Sequence, residues 1–189
     1  MPTTRSRSGE SNAIDMLMED HKKVQKLFRD FEKLGHEDTE ACRELVTQAC
    51  TELKVHSMLE KEIFYPAVRD QADKEELEDT LNEAEVEHGS VDELIEKLEG
   101  MDASDPMYSA HFTVVAEYVK HHIREEEKEM FPAVKKIKSL DLDALGQEIQ
   151  QRKAELMAEF GGESTQDDKE AEQLGEEEEE GEEAAHRRR

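Results

Sequence analysis

The tightest constraint on this chain is a five-residue motif that occurs twice. His56-Ser-Met-Leu-Glu60 and His122-Ile-Arg-Glu-Glu126 are each followed by Pro-Ala-Val, at 66–68 and 132–134. Residues four apart on a helix share one face, so each histidine and its glutamate reach the same point. Both motifs interrupt apolar stripes. Cys42, Leu45, Ala49 and Leu53 lead into His56, with Ile63 and Ala67 beyond Glu60; Phe112, Val115 and Val119 lead into His122, with Met130 beyond Glu126. Two further histidines occupy core positions in the same way: His21 among Ile14, Leu17, Val24, Phe28 and Phe31, and His88 among Leu77, Leu81, Ala84, Val91, Ile95 and Leu98. His21-Val24-Leu27 aligns with His88-Val91-Leu94 in the same register as the two motifs. The domain therefore reads as two copies of a helix pair.

No stretch alternates apolar and polar residues between turn residues, so strands are not expected. Steps of three and four predict helices throughout. Ser11 or Asn12 would cap the first, which Gly35 would end. Asp38 or Thr39 opens the second, and Asp73 the third, which Gly100 stops. Asp105-Pro106 supplies a cap and first-position proline for the fourth. Short loops between long helices make neighbours antiparallel. The fold class is thus all-α: an antiparallel up-down-up-down four-helix bundle over 13–138, with one additional helix within 139–162 carrying Leu145, Ile149 and Leu156. Residues 1–12 and the acidic tail 163–189, including five successive acids from Glu176 to Glu180, are expected to be disordered. Pro66 and Pro132 are expected to kink or end their helices.

A net charge of −25 argues against nucleic-acid and anionic-membrane partners, which call for clustered Lys and Arg. No apolar run is long enough to span a bilayer, and MPTTRSRSGES lacks a signal peptide's apolar region. Cys42 and Cys50, about 12 Å apart along one helix, are too distant for a disulfide. The expectation is a reduced, cytoplasmic protein.

One histidine on an apolar face is ordinarily a packed core residue. Four of them with two glutamates, all within about one turn of a common layer, are different, because buried carboxylates without a partner are strongly disfavoured. Two divalent cations would stabilise His21, His56, Glu60, His88, His122 and Glu126 together, with carboxylates bridging the pair. His111 lies roughly 16 Å along the axis from His122, and His121 points about 100° away from it. Neither they nor His36 and His186 are expected to be ligands. Phe28, Phe64 and Phe131 are candidate walls of the site.

The ordered pattern His21, His56-Glu60, His88, His122-Glu126 resembles the hemerythrin-like HHE cation-binding family over residues 13 to 138. The resemblance implies a four-helix bundle with an oxo- or hydroxo-bridged pair of irons, zinc or manganese being the lesser alternatives. It differs from the oxygen-carrying hemerythrins, which have HxxxH on the third helix and HxxxxD on the fourth. Here Asp92 stands four after His88, and the last motif ends in Glu126. Asp92, Glu85 or water would complete the coordination. The implied function is binding of, or reaction with, O2, peroxide or NO in stress defence or iron homeostasis, including a peroxide-decomposing activity. The alternatives are a non-catalytic iron or oxygen sensor or an O2-binding protein, and an acidic tail that docks a basic partner.

Overall fold

A computed structural model describes residues 11–34, 39–71 and 74–160, giving the backbone alone for 74–76. The expected signals at Gly35, Asp38 and Asp73, together with His36, His186, residues 1–10 and the tail 163–189, lie outside the described residues. Those residues contain five helical segments and no strand.

Helix α1 spans Ala13–Leu34. Of its two candidate caps, Asn12 does the capping: its Oδ1 accepts the Asp15 N–H at 3.1 Å while its Nδ2 donates to Asp15 Oδ2 at 2.7 Å. Helix α2 covers Thr39–Leu59 and continues, without a break, through Glu60–Phe64 and Tyr65–Gln71. Helix α3 is Lys74–Glu99, closed by Gly100 as expected, whose N–H bonds Glu96 O at 3.3 Å. Helix α4 is Tyr108–Glu125, extended by Glu126–Met130 and Phe131–Val134. It starts later than the sequence suggested. Asp105 Oδ1 accepts the Met107 N–H at 2.8 Å, so Asp105-Pro106 forms a turn ahead of the helix.

Helices α1 and α2 pack extensively on each other, as do α3 and α4, so the two helix pairs of the internal repeat are also the two tightly packed pairs of the bundle. Phe28, Phe31 and Phe112 interlock edge-to-face in the apolar half of the core.

The helices continue past both prolines, to Gln71 and Val134. Each motif helix widens into one π turn beginning at its motif glutamate, Glu60–Phe64 and Glu126–Met130. The N–H of Tyr65 bonds Glu60 O, and that of Phe131 bonds Glu126 O, five residues back in both cases. Proline has no N–H to continue an α ladder, and the looser turn absorbs that defect. It also carries the residue five positions on onto the face of the glutamate. Tyr65 and Phe131 are consequently fully buried over the two motifs.

The chain divides into two compact units at residue 153; in the second, the described part is the helical stretch 154–160. Helix α5, residues 142–160, begins where Asp141 Oδ1 accepts the Ala144 N–H at 3.0 Å. Within the first unit it packs on the bundle. Leu145 and Ile149 are buried, Arg152 Nε donates to Glu62 Oε2 at 2.8 Å, and Lys153 pairs with Asp20. Gly146 makes the approach possible: a Cβ there would stand 2.8 Å from Ser11 O and 3.0 Å from Ala13 N. These are backbone atoms that cannot swing aside. Gly146→Ala should therefore cost about 1–3 kcal/mol, as overpacking does, and lower the melting temperature by several degrees in a circular-dichroism melt. An unchanged melt would show that α5 does not dock closely.

Candidate metal centre

The six residues singled out by the sequence come together in the bundle interior, each 9% exposed or less. They form two donor groups. His21, His56, Glu60 and Glu126 make the first, Glu60, His88 and His122 the second; the ligand atoms of each lie within 4.8 Å of one another. Glu60 belongs to both. Its Oε2 is 3.3 Å from His56 Nε2 and 3.2 Å from His88 Nε2. Glu126 Oε2 is 3.1 Å from His21 Nε2 and 3.4 Å from His122 Nε2, and the Nε2 atoms of His88 and His122 are 2.9 Å apart.

Two observations test whether these residues suit metal ions. Ligands at right angles and about 2.1 Å from one ion stand about 3 Å apart, which is the spacing seen here. Moreover His21 Nε2, both His56 nitrogens, Glu60 Oε1 and Glu126 Oε2 are buried without a hydrogen-bond partner, although charged neighbours are close. Buried polar atoms ordinarily have partners. Lone pairs that converge on common points, rather than on one another, fit cation binding.

Three of the four histidines turn Nε2 inward while an outer group holds Nδ1, as outer partners of metal ligands do. The Nδ1–H of His21 donates to Glu127 Oε1 at 3.0 Å and that of His122 to Glu87 Oε2 at 2.8 Å, while His88 Nδ1 and Ser57 Oγ share a hydrogen bond of 2.8 Å. Asp20 Oδ2 is 3.7 Å from His56 Nδ1. Sequence reasoning missed these partners, yet a signal was there. Asp20-His21 and Glu87-His88 are aligned acid–histidine pairs, and each acid serves the motif histidine of the neighbouring helix.

Tyr65 was also missed. Its hydroxyl donates to Glu126 Oε1 at 2.9 Å and lies 3.2 Å from Glu60 Oε2 and 3.3 Å from His88 Nε2. Only the π turn, invisible in the apolar stripe, brings it there. The residues expected to complete the coordination sphere are elsewhere: Asp92 pairs with Lys61 at 2.7 Å and Glu85 with Arg69 at 2.6 Å, both substantially exposed. Phe131 stacks on the His21 ring, 5.7 Å between centroids, and Phe64 packs against Phe131 and Tyr65. Phe28 is no wall of the site. It packs on Phe112, two turns along α1 from His21. His111 is bonded to Met107 O. A cavity of about 30 Å³ lies beside the histidines, lined by apolar Val24, Leu53, Val91, Val119 and Ile123.

The family model of the hemerythrin HHE cation binding domain matches residues 12–134. This chain belongs to that family. The HHE domain is similar to the crystal structure of a hemerythrin HHE cation binding domain-containing protein from Mycobacterium kansasii, with 25% identity and a TM-score of 0.66 over 79% of this chain and 89% of the other. This chain is also 26% identical over 167 residues to a protein named DNA nickase from Nostoc sp. (strain PCC 7120 / SAG 25.82 / UTEX 2576), a match covering 86% of it. The chain spans 45% of that relative's length. An HHE domain binds cations, and its buried His/Glu cluster could hold them. Among the described residues no helix is long and apolar enough to cross a membrane.

Without metal, protons must balance the carboxylates. Burial alone would depress the His56 imidazole, but the Glu60 charge, the nearby Asp20 and Glu60 carboxylates and the Glu126 charge push it up to about 10. His122 is likewise opposed by burial and raised to about 11, by the charge of Glu126 and by Glu60 and Glu87. Burial would raise the Glu60 carboxyl, yet His56, His122 and His88 hold it well below its usual range. The raised histidines stabilise the metal-free fold fully below their unfolded value near 6.5 and lose that contribution as pH climbs towards 10–11. The lowered Glu60 contributes above about 4.5 and loses its contribution as pH falls. Metal-free protein should therefore melt at progressively lower temperature from pH 6.5 upward. Its uptake of divalent metal at pH 7.5 should release protons, detectable with an indicator dye in weak buffer. Uptake with no proton release would contradict these charge states.

Proposed function

We propose that this HHE domain is a non-haem di-iron protein, with one iron held by His21, His56, Glu60 and Glu126 and the second by His88, His122 and Glu60, and that it reacts with peroxide, O2 or NO. The observation that carries this reading is the membership of Glu60 in both donor groups, since a carboxylate shared by two cation sites places the ions side by side. Mixed imidazole and carboxylate donors suit iron, with zinc and manganese as competitors. Bound iron would supply one-electron exchange with a small oxidant at a position open to the cavity.

The chain's own residues do the rest. Glu127, Ser57 and Glu87 fix three imidazole orientations from outside, and Asp20 stands 3.7 Å from the fourth, His56. Tyr65 ties the two carboxylates to each other. Burial first, and then the charges of Glu60 and Glu126, raise its phenol well above the usual value of 10, so Oη keeps its proton at neutral pH. The cavity's volume of about 30 Å³ suits a ligand of two heavy atoms, since one water needs about 10–15 Å³ of such space. That size would disfavour larger reductants.

The name of the Nostoc relative suggests DNA as a substrate for that protein. A net charge of −25 opposes contact with a polyanion, and we leave DNA out of the proposal.

Metal content tests the ligand assignment. Anaerobically loaded protein should carry about two irons per chain. Glu60→Ala should affect both sites, whereas Asp92→Asn and Glu85→Gln should leave the content unchanged. One tight zinc indifferent to Glu60→Ala and Glu126→Ala would sink the assignment.

Reactivity is tested by stopped-flow mixing of the reduced, iron-loaded protein with O2, followed by evacuation, and by adding H2O2 to the oxidised form. The proposal expects irreversible oxidation and haem-independent peroxide consumption. A spectral change that reverses when O2 is removed, with no peroxide consumed, would make the protein a carrier.

A further inference from the structure

Four acids line the cavity beside the histidines: Asp20, Glu52, Glu87 and Asp92. Three of them have a lysine: Lys153 pairs with Asp20, Lys23 with Glu52 and Lys61 with Asp92. Glu87 is paired with imidazoles instead. Its Oε2 accepts from His122 Nδ1, while its Oε1 lies 3.6 Å from His121 Nε2. His121 Nε2 is in turn 3.1 Å from Glu125 Oε1, one helical turn further along α4. One imidazole thus faces two carboxylates where each other acid has a lysine to itself. The ligand atoms of Glu87, His121 and Glu125 lie within 4.8 Å of one another, and His121 is half exposed.

We propose that Glu87, His121 and Glu125 form an outer site for a divalent first-row transition-metal cation, from which the buried groups are loaded. Two carboxylates and an imidazole drawn from two helices are a donor set that such ions accept. Among the described residues neither Glu87 nor Glu125 has a lysine or arginine ion-pair partner, unlike the other three acids that line the cavity, so a cation is attracted there first. The outer site also adjoins the interior directly. Glu87 bonds a proposed ligand, His122, through its other oxygen, and the cavity it lines contains buried His56, whose two ring nitrogens lack partners. The inference rests on the buried pair being a metal centre, so its test must separate the two.

Metal-free full-length protein is titrated with Co2+ alone and followed by its visible absorption, then mixed rapidly with Co2+ to time loading. Wild type should take up two ions tightly and a third more weakly. Glu125→Gln and His121→Ala should each lose the third ion, keep the tight pair, and load it about tenfold more slowly, the scale of electrostatic steering. Glu125→Gln leaves the Glu87–His122 bond in place, so a slower rate in that variant is not a folding defect. A wild type without a third ion, or variants that load at the wild-type rate, would overturn the outer site while leaving the buried centre standing. A wild type that lacks the tight pair would overturn the centre itself, and the outer site with it.

Discussion

Two carboxylates in the middle of a helical bundle govern everything else in this molecule. Glu60 and Glu126 are 0% and 1% exposed, a placement that stays stable only if positive charge is brought to them. The fold brings four imidazoles to them from four helices, and three of these imidazoles have their other nitrogen hydrogen-bonded to an outer carboxylate or serine. In the metal-free protein the charge arrives as protons on His56 and His122, both held far above the ordinary histidine range. Cations bound by the same side chains would replace those protons. Binding and protonation are then one equilibrium seen from two sides.

The duplication gives the centre its symmetry, and a few substitutions break it. Tyr65 and Phe131 occupy equivalent places behind equivalent π turns, yet one offers a hydroxyl to both carboxylates and the other stacks a ring on His21. Asp20 and Glu87 hold equivalent motif histidines, but Asp20 is tied to Lys153 of α5 and Glu87 to exposed His121. One side of the centre is therefore tied through Asp20 to Lys153, while the other meets solvent through an imidazole. Two metal positions built from one repeat need not have the same affinity or exchange rate.

Much of this was legible in the sequence because burial and helical period together over-determine it. Histidine and glutamate four apart inside an apolar stripe have one place to go, and its recurrence at the same register leaves little freedom. The presence of five helices followed from the same rules, and Asn12, one of the two candidate caps, caps the first. What could not be read depends on departures from the 3.6-residue period. The π turns shift Tyr65 and Phe131 by one position, so an α-helical stripe assigns the wrong neighbour to each glutamate. Asp92 and Glu85 looked available as ligands because helical spacing does not reveal that Lys61 and Arg69 reach them first. Phe28 lay on the right stripe at the wrong height.

The central claim is that Glu60 joins two cation sites into one centre, and X-ray absorption at the iron edge tests it most directly. Iron-loaded protein should show imidazole scattering together with a metal–metal vector shorter than about 4 Å, the separation usual for paired-metal sites. Glu60→Gln should lose that vector. An iron environment with imidazole shells but no second metal, unchanged by Glu60→Gln, would contradict the account.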